Sequence, residues 1–169
     1  MSKLLDKLKT DILVADGAMG TLLYANGLES CHEYYNLSQP QQILAIHKAY
    51  IEAGADIIQT NTYAAKRHQL KGFGYDGQIK AINQEAVALA RQVAGEDVFV
   101  LGTIGASRGL RQWDVSLEEI GSETVEQANY LLETARIDGL LFETYYDIEE
   151  LSAVLKAIRP ITDLPIIAN

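Results

Sequence analysis

Cysteine is almost missing from this chain: one residue, Cys31, in 169. A lone cysteine excludes an internal disulfide, and it excludes a thiolate zinc cage built within one chain. No run approaches the ~18 apolar residues of a membrane span. The N-terminal Met1-Ser2-Lys3-Leu4-Leu5-Asp6-Lys7 is amphipathic and lacks the apolar core of a signal peptide. Positive charge is scarce as well. With 14 Lys and Arg against 23 Asp and Glu the net charge is −9, which argues against a nucleic-acid-binding surface. Neither G-x-G-x-x-G nor a P-loop occurs, so the common nucleotide-binding turns are absent. What is left is an ordinary globular composition, 48% hydrophobic, of a length that fits one domain. A soluble, cytoplasmic protein is the expectation.

The chain is organised around Asp16-Gly17-Ala18-Met19-Gly20-Thr21, which follows the apolar run Ile12-Leu13-Val14-Ala15. A strand that ends in a carboxylate and two glycines suits a polar site. The glycines permit a sharp turn and a close approach of backbone N–H groups to a ligand. Taken alone, the segment also fits a plain turn held by its aspartate.

A strand–helix pattern then recurs. Residues 2–10 read as a short helix, 12–16 as the first strand, and Thr21 to Ala25 as a helical turn closed by Asn26-Gly27. Residues 28–37 read as a loop. Ser38 and Gln41 have capping-box spacing, and a helix with Ile43, Ile46, His47, Tyr50 and Ile51 on its buried stripe runs to Gly54. Further strands are expected at 56–61, 98–103, 139–143 and 165–168. Helices are expected at 78–94, from Ser116 to about Ala135, and over 147–158, where Asp147 and Glu150 cap the start.

Alternation of this kind predicts a parallel sheet covered by helices. Right-handed crossovers put all strand C-terminal ends on one side, so Asp16, Asn61, Thr103, Glu143 and Asn169 should share one rim. Active sites of α/β barrels and the ligand crevices of open α/β sheets lie there. A leading helix able to plug a barrel bottom favours a (β/α)8 TIM barrel. Such a barrel needs eight strands and ~250 residues; this chain supplies about the first five strands and four helices, and both sheet edges would be unprotected.

Several segments together resemble the homocysteine S-methyltransferase domain family. They are Asp16 to Thr21, Asn36-Leu37-Ser38-Gln39-Pro40, Ala53-Gly54-Ala55-Asp56-Ile57-Ile58-Gln59-Thr60-Asn61-Thr62 and Phe142-Glu143-Thr144. The likeness spans residues 11 to 169. Thr103-Ile104-Gly105 and Glu143-Thr144-Tyr145-Tyr146-Asp147 look most like the bacterial type fused to a methylenetetrahydrofolate reductase. The resemblance implies a (β/α)8 barrel of which residues 1–169 are the N-terminal portion. It implies methyl transfer to the zinc-activated thiolate of homocysteine, giving methionine. By position, Asp16 and Glu143 match carboxylates near the homocysteine ammonium, a charge-assisted fit. The backbone at Gly17 and Ala18 matches the turn that receives the amino-acid carboxylate. Asn61 matches a rim position.

One departure matters. The family's three zinc cysteines follow strands six and eight, so the resemblance implies zinc ligands in sequence beyond residue 169. Cys31 matches none of them, and adjacent Cys31 and His32 are poorly spaced to bite one ion. His47 reads as a packed core residue and His68 as a solvated loop residue. Arg108, Arg111 and Trp113 fall in a loop that would serve a substrate or simply connect elements. Tyr145 and Tyr146 would line the rim or cover its edge. No strand ends in lysine, which disfavours a Schiff-base aldolase or lyase. Methylated folate, a methylated cobalamin domain, S-methylmethionine and betaine are methyl donors in the family, and a C-terminal reductase domain in the same polypeptide is one expectation. The alternative is a truncated, non-catalytic half-barrel that associates through its open strand edges.

Overall fold

Four short aliphatic runs pair into one parallel sheet in the computed structural model, which describes residues 2–108 and 115–169. The strands are β1 (Ile57–Gln59), β2 (Phe99–Gly105), β3 (Gly139–Glu143) and β4 (Ile166–Ala168), in the spatial order β1-β2-β3-β4. All three pairings are parallel. Chain order and spatial order agree because a helix lies between each strand and the next. The helices are α1 (Lys3–Leu8), α2 (Met19–Ala25), α3 (Tyr35–Ser38), α4 (Pro40–Glu52), α5 (Arg67–Lys71), α6 (Ile79–Ala94), α7 (Leu117–Leu132) and α8 (Ile148–Ile158). Among the described residues no helix is long and apolar enough to cross a membrane.

The two faces of the sheet differ because side chains alternate along each strand. Ile58, Val100, Ile104, Leu140 and Phe142 point to one face. There they meet Val87 and Ala90 of α6, Ile120, Ala128 and Leu131 of α7, and Val154 and Ile158 of α8 in the main core. Ile57, Leu101 and Leu141 point the other way and pack with Leu4 of α1, which is fully buried. One period further along the same face stand Gln59, Thr103 and Glu143. This second face therefore changes from apolar to polar towards the strand C-terminal ends. The leading helix closes its apolar end through Leu4.

Residues 12–16 are not the strand that the sequence predicts. They join the sheet through one parallel bridge, Ala15 to Ile57. Main-chain bonds run from Asp16 N–H to Ile57 O at 2.9 Å and from Asp56 N–H to Val14 O at 2.8 Å. The Val14 N–H instead donates to the Asp56 carboxylate at 2.9 Å. A side-chain acceptor in place of a main-chain carbonyl interrupts the ladder. Ile12, 94% exposed, packs on nothing that would hold it extended.

Three helix starts show how capping was decided. Ser116 accepts from the Glu119 N–H, and the Glu119 carboxylate accepts from the Ser116 N–H at 3.0 Å, a full capping box. Asp147 caps α8 by accepting from Glu149 and Glu150 N–H. The Glu150 side chain takes no part in that cap: it is fully buried and accepts from Ser107 N–H at 2.6 Å and Arg108 N–H at 2.9 Å. Ser38 does not begin a helix. It ends α3, and its hydroxyl donates back to Tyr34 O at 3.3 Å, so α4 starts at Pro40 with no side-chain cap. The predicted loop 28–37 contains that short helix and a 3-10 turn at His32–Tyr34, and the loop after β1 contains α5.

Candidate active site

The polar end of the second face opens into a cleft of about 440 Å³. Five chain segments meet there: Asp16 to Thr21, His32 and Glu33, Gln59 to Tyr63, Thr103 near the end of β2, and Glu143-Thr144 at the end of β3. Of the predicted rim set, Asp16, Asn61, Thr103 and Glu143 all line it. Asn169 does not. Its Oδ1 instead accepts the Thr144 N–H at 3.0 Å.

Asp16 is held by β1. Its Oδ2 accepts the Gln59 main-chain N–H at 2.9 Å, and its Oδ1 accepts Gln59 Nε2 at 2.9 Å. Burial nonetheless dominates and pushes the carboxyl up to about 6, with the Glu143 charge adding to the effect. Burial also raises Glu143. Two carboxyl groups thus face one cleft, and among the described residues neither forms an ion pair. Such a pair disfavours its own ionisation until a cation arrives.

Gly17 and Ala18 form the turn beside Asp16. The Tyr50 hydroxyl donates to Ala18 O at 3.1 Å. A Cβ on Gly17 would lie 2.9 Å from that hydroxyl, so a larger residue there would push Tyr50 aside. On the opposite wall, a Cβ on Gly105 would lie 2.6 Å from the Tyr63 ring. Gly105 N–H also donates to Tyr63 O at 2.9 Å. Tyr63 is raised by burial and by the Glu143 charge. Thr144, next to Glu143, has φ 61°, an unusual conformation for a β-branched residue. Asn169 holds it there by accepting from two successive N–H groups: Thr144 through its side chain, and Tyr145 through its main-chain oxygen at 3.1 Å.

Asn61 is largely occupied. Its Nδ2 donates to His32 O at 2.8 Å and to Asn36 Oδ1 at 3.0 Å, while Asn36 Nδ2 returns to Asn61 O at 2.9 Å. It braces the His32 segment against the end of β1.

The other singled-out residues fall elsewhere. His47 is fully buried on α4 and neither ring nitrogen has a partner among the described residues; burial pushes it down to about 4. His68 is not a solvated loop residue. It lies on α5, mostly enclosed, and its Nδ1 pairs with Glu123 of α7. Arg108 Nη1 donates to the Asp147 carboxylate at 3.2 Å, away from the cleft; Arg111 and Trp113 lie outside the described residues. The Tyr145 hydroxyl donates to Gly105 O at 3.2 Å behind the wall, and Tyr146 is exposed. The sequence reading missed His32, Glu33, Gln59 and Tyr63 as wall residues. Gln59 had a signal, since it shares the inward period of Ile57. His32 and Glu33 had none, because no periodicity runs through their loop.

Cys31 does not fit a metal. Its thiol is buried, donates to Glu33 Oε2 at 3.6 Å and is pushed up to about 11, mainly by burial, so it stays protonated. Among the described residues no three His, Cys, Asp or Glu side chains stand close enough to hold a metal ion.

The family profile for homocysteine S-methyltransferase matches residues 13–169. The chain belongs to the homocysteine S-methyltransferase family. Methionine synthase from Mycobacterium tuberculosis is 32% identical over 170 aligned positions, which cover 92% of this chain and 14% of that protein. Methionine synthase from Mycobacterium leprae is 30% identical over the same shares. Among solved structures, the metallated form of the homocysteine methyltransferase MmuM from Escherichia coli superposes with a TM-score of 0.81 at 26% identity, covering 96% of this chain and 63% of that one. The chain therefore spans a small part of the curated relatives, and somewhat under two thirds of MmuM. Membership of the homocysteine S-methyltransferase family fits the parallel α/β sheet.

Proposed function

We propose that the cleft is the amino-acid end of a homocysteine site, in a domain that transfers a methyl group to the homocysteine sulfur and yields methionine. The observation that carries this reading is the pair Asp16 and Glu143, two carboxyl groups raised by burial that face one cleft, neither of them in an ion pair among the described residues. The ammonium of an amino acid supplies a cation, and each carboxylate then gains a charge-assisted hydrogen bond. The main-chain turn at Gly17 and Ala18 receives the substrate carboxylate. Asn61 contributes by holding the wall. Homocysteine so bound is fixed at its α-carbon end, with its thiol free to extend across the cleft towards a methyl donor. Fixing one end of a reactant in this way lowers the entropic part of the barrier.

Among the described residues no side chains gather to hold a metal, and with Cys31 the single cysteine a zinc ion would be held by cysteines from sequence outside these 169 residues. In the same way, the sheet is the first part of a (β/α)8 barrel whose further strands would cover its open edges. The exposed side chains of Ile12 and Val14 support this, as does the match to part of MmuM. The methyl donor, methylated folate among the candidates, and a reductase domain in the same polypeptide are parts of the proposal that the cleft itself does not select.

The test uses the polypeptide made from the native gene. Its intact mass, its zinc content per chain and its transfer of a methyl group to homocysteine are measured together. A chain well beyond 169 residues, with about one zinc and transfer activity lost in Asp16→Asn, is expected. A product of this length without zinc or activity would instead favour the half-barrel that associates through its edges, a reading for which the nearly bare Ile12 also speaks.

A further inference from the structure

We propose that His32 is a specificity residue of this cleft: its Nδ1–H donates a hydrogen bond to the carboxylate of the substrate and selects free amino acids over amines. The inference rests on the homocysteine reading above and adds a residue to it.

His32 is held from both sides. Its carbonyl accepts Asn61 Nδ2 at 2.8 Å. The next side chain, Glu33, accepts the Ala64 N–H at 2.9 Å and the Cys31 thiol. The 3-10 turn at His32–Tyr34 is thereby pinned to the loop after β1. The ring has little room. Its Nδ1 stands 3.1 Å, and its Cε1 3.3 Å, from where a Cβ on Gly20 would lie. The Nδ1 edge is therefore laid against the Gly17–Gly20 wall, the same wall that carries the turn assigned to the carboxylate.

The tautomer follows from the other nitrogen. Nε2 is enclosed and has no partner among the described residues. A buried N–H without an acceptor costs more than a buried lone pair without a donor. An N–H is therefore placed on Nδ1, at the cleft wall. The other ionisable side chains of the lining are Asp16, Glu33, Glu143 and Tyr63, and among the described residues His32 is the one nitrogen donor with a basic ring there. A zwitterion with its ammonium between Asp16 and Glu143 brings a carboxylate into an acidic cleft. It needs a donor that offsets the repulsion, and the His32 edge is placed to give one.

The experiment is calorimetric titration of the native-gene polypeptide with L-homocysteine and with 3-aminopropane-1-thiol, which is homocysteine without its carboxylate. A hydrogen bond to a charged group is worth about 1.5–3 kcal/mol, so His32→Leu should weaken homocysteine binding at least about tenfold. It should leave the aminothiol unchanged. His32→Asn, whose amide nitrogen falls near Nδ1, should keep most of the affinity, whereas His32→Gln, whose amide falls near Nε2, should lose it. The Asn and Gln pair carries the test if the leucine variant does not fold. Equal homocysteine affinity in His32→Gln and wild type, or an equal loss for both ligands, overturns the role of His32 alone. A wild-type protein that binds no homocysteine overturns the underlying site reading and this proposal together.

Discussion

The ammonium of Lys66 donates to the carbonyl oxygen of Gly105 at 2.6 Å, and no part of the lysine is exposed. It also donates to Ser107 Oγ at 2.9 Å, near the buried carboxylate of Glu150. Gly105 is the residue against which Tyr63 packs and which pairs with Glu143 across the sheet. One buried charge thus ties the loop after β1 to the strand end behind the cleft.

Removing that charge should cost stability. Lys66→Met leaves Glu150 to its two main-chain donors and Gly105 O to the Tyr145 hydroxyl. Breaking one half of such a buried arrangement is expected to destabilise by about 3 kcal/mol, read by chemical denaturation. The pH dependence gives a second check. Burial pushes Lys66 down to about 8 from 10.5. Between those values the unfolded chain holds more protons than the folded one, so wild-type stability gains with rising pH over that window. Lys66→Met should lack this gain; identical slopes in both proteins would contradict the assignment.

His47 carries a penalty of the opposite convenience. Its folded value of about 4 lies below the ordinary 6.5, so the unfolded chain binds more protons between the two. Stability present above pH 6.5 is lost as pH falls through that window. Replacing a buried ring without partners by an apolar side chain removes this loss. His47→Leu is expected to be more stable than wild type by about 1 kcal/mol at pH 5, and by less at pH 7.5. Equal thermal stability at both pH values would count against it.

The fold was legible where local chemistry and tertiary packing agreed. The period of two from Ile57 to Gln59 gives both the buried face and the polar end of β1. Ser116 with Glu119 announces α7, and the structure shows the full box. The agreement failed where a side chain took a tertiary partner instead. Ser38 and Glu150 have the right types and spacing for caps, yet one folds back on α3 and the other is drawn into the Ser107 and Arg108 N–H groups. Val14 loses its ladder partner to the Asp56 carboxylate. Among the site residues, Asp16 and Glu143 stand out at strand ends, and family resemblance names them. Lys66 and His32 could not be found that way, because both lie in loops whose meaning comes from segments distant in sequence.

Asp16 should set the pH dependence of ligand binding. Its folded value of about 6 lies above the ordinary 3.8, so ionised Asp16 destabilises the empty protein at higher pH, fully so above about 6. A bound ammonium favours the ionised form. Homocysteine affinity is therefore expected to rise with pH through 6 and then level off. At pH 5 roughly a tenth of the free Asp16 is ionised, which makes binding about tenfold weaker than at pH 7. A flat profile from pH 5 to 7 would contradict a role for this carboxylate.

The same reasoning predicts a trade between stability and binding. Asp16→Asn removes the cost of a buried charge and should stabilise the ligand-free protein by about 1 kcal/mol at pH 7, while weakening homocysteine binding. Thermal melting with and without homocysteine separates the two effects. A variant less stable than wild type and equally protected by ligand would speak against the argument.

On the proposed reading, Asp16 and Glu143 together receive the ammonium of homocysteine. Titration of L-homocysteine into the native-gene polypeptide at pH 7.5, wild type beside Glu143→Gln, tests it most directly. Saturable binding of one ligand per chain by the wild type is expected, with a loss of at least about tenfold in Glu143→Gln at a melting temperature no lower than that of the wild type. Wild-type affinity in Glu143→Gln would contradict it.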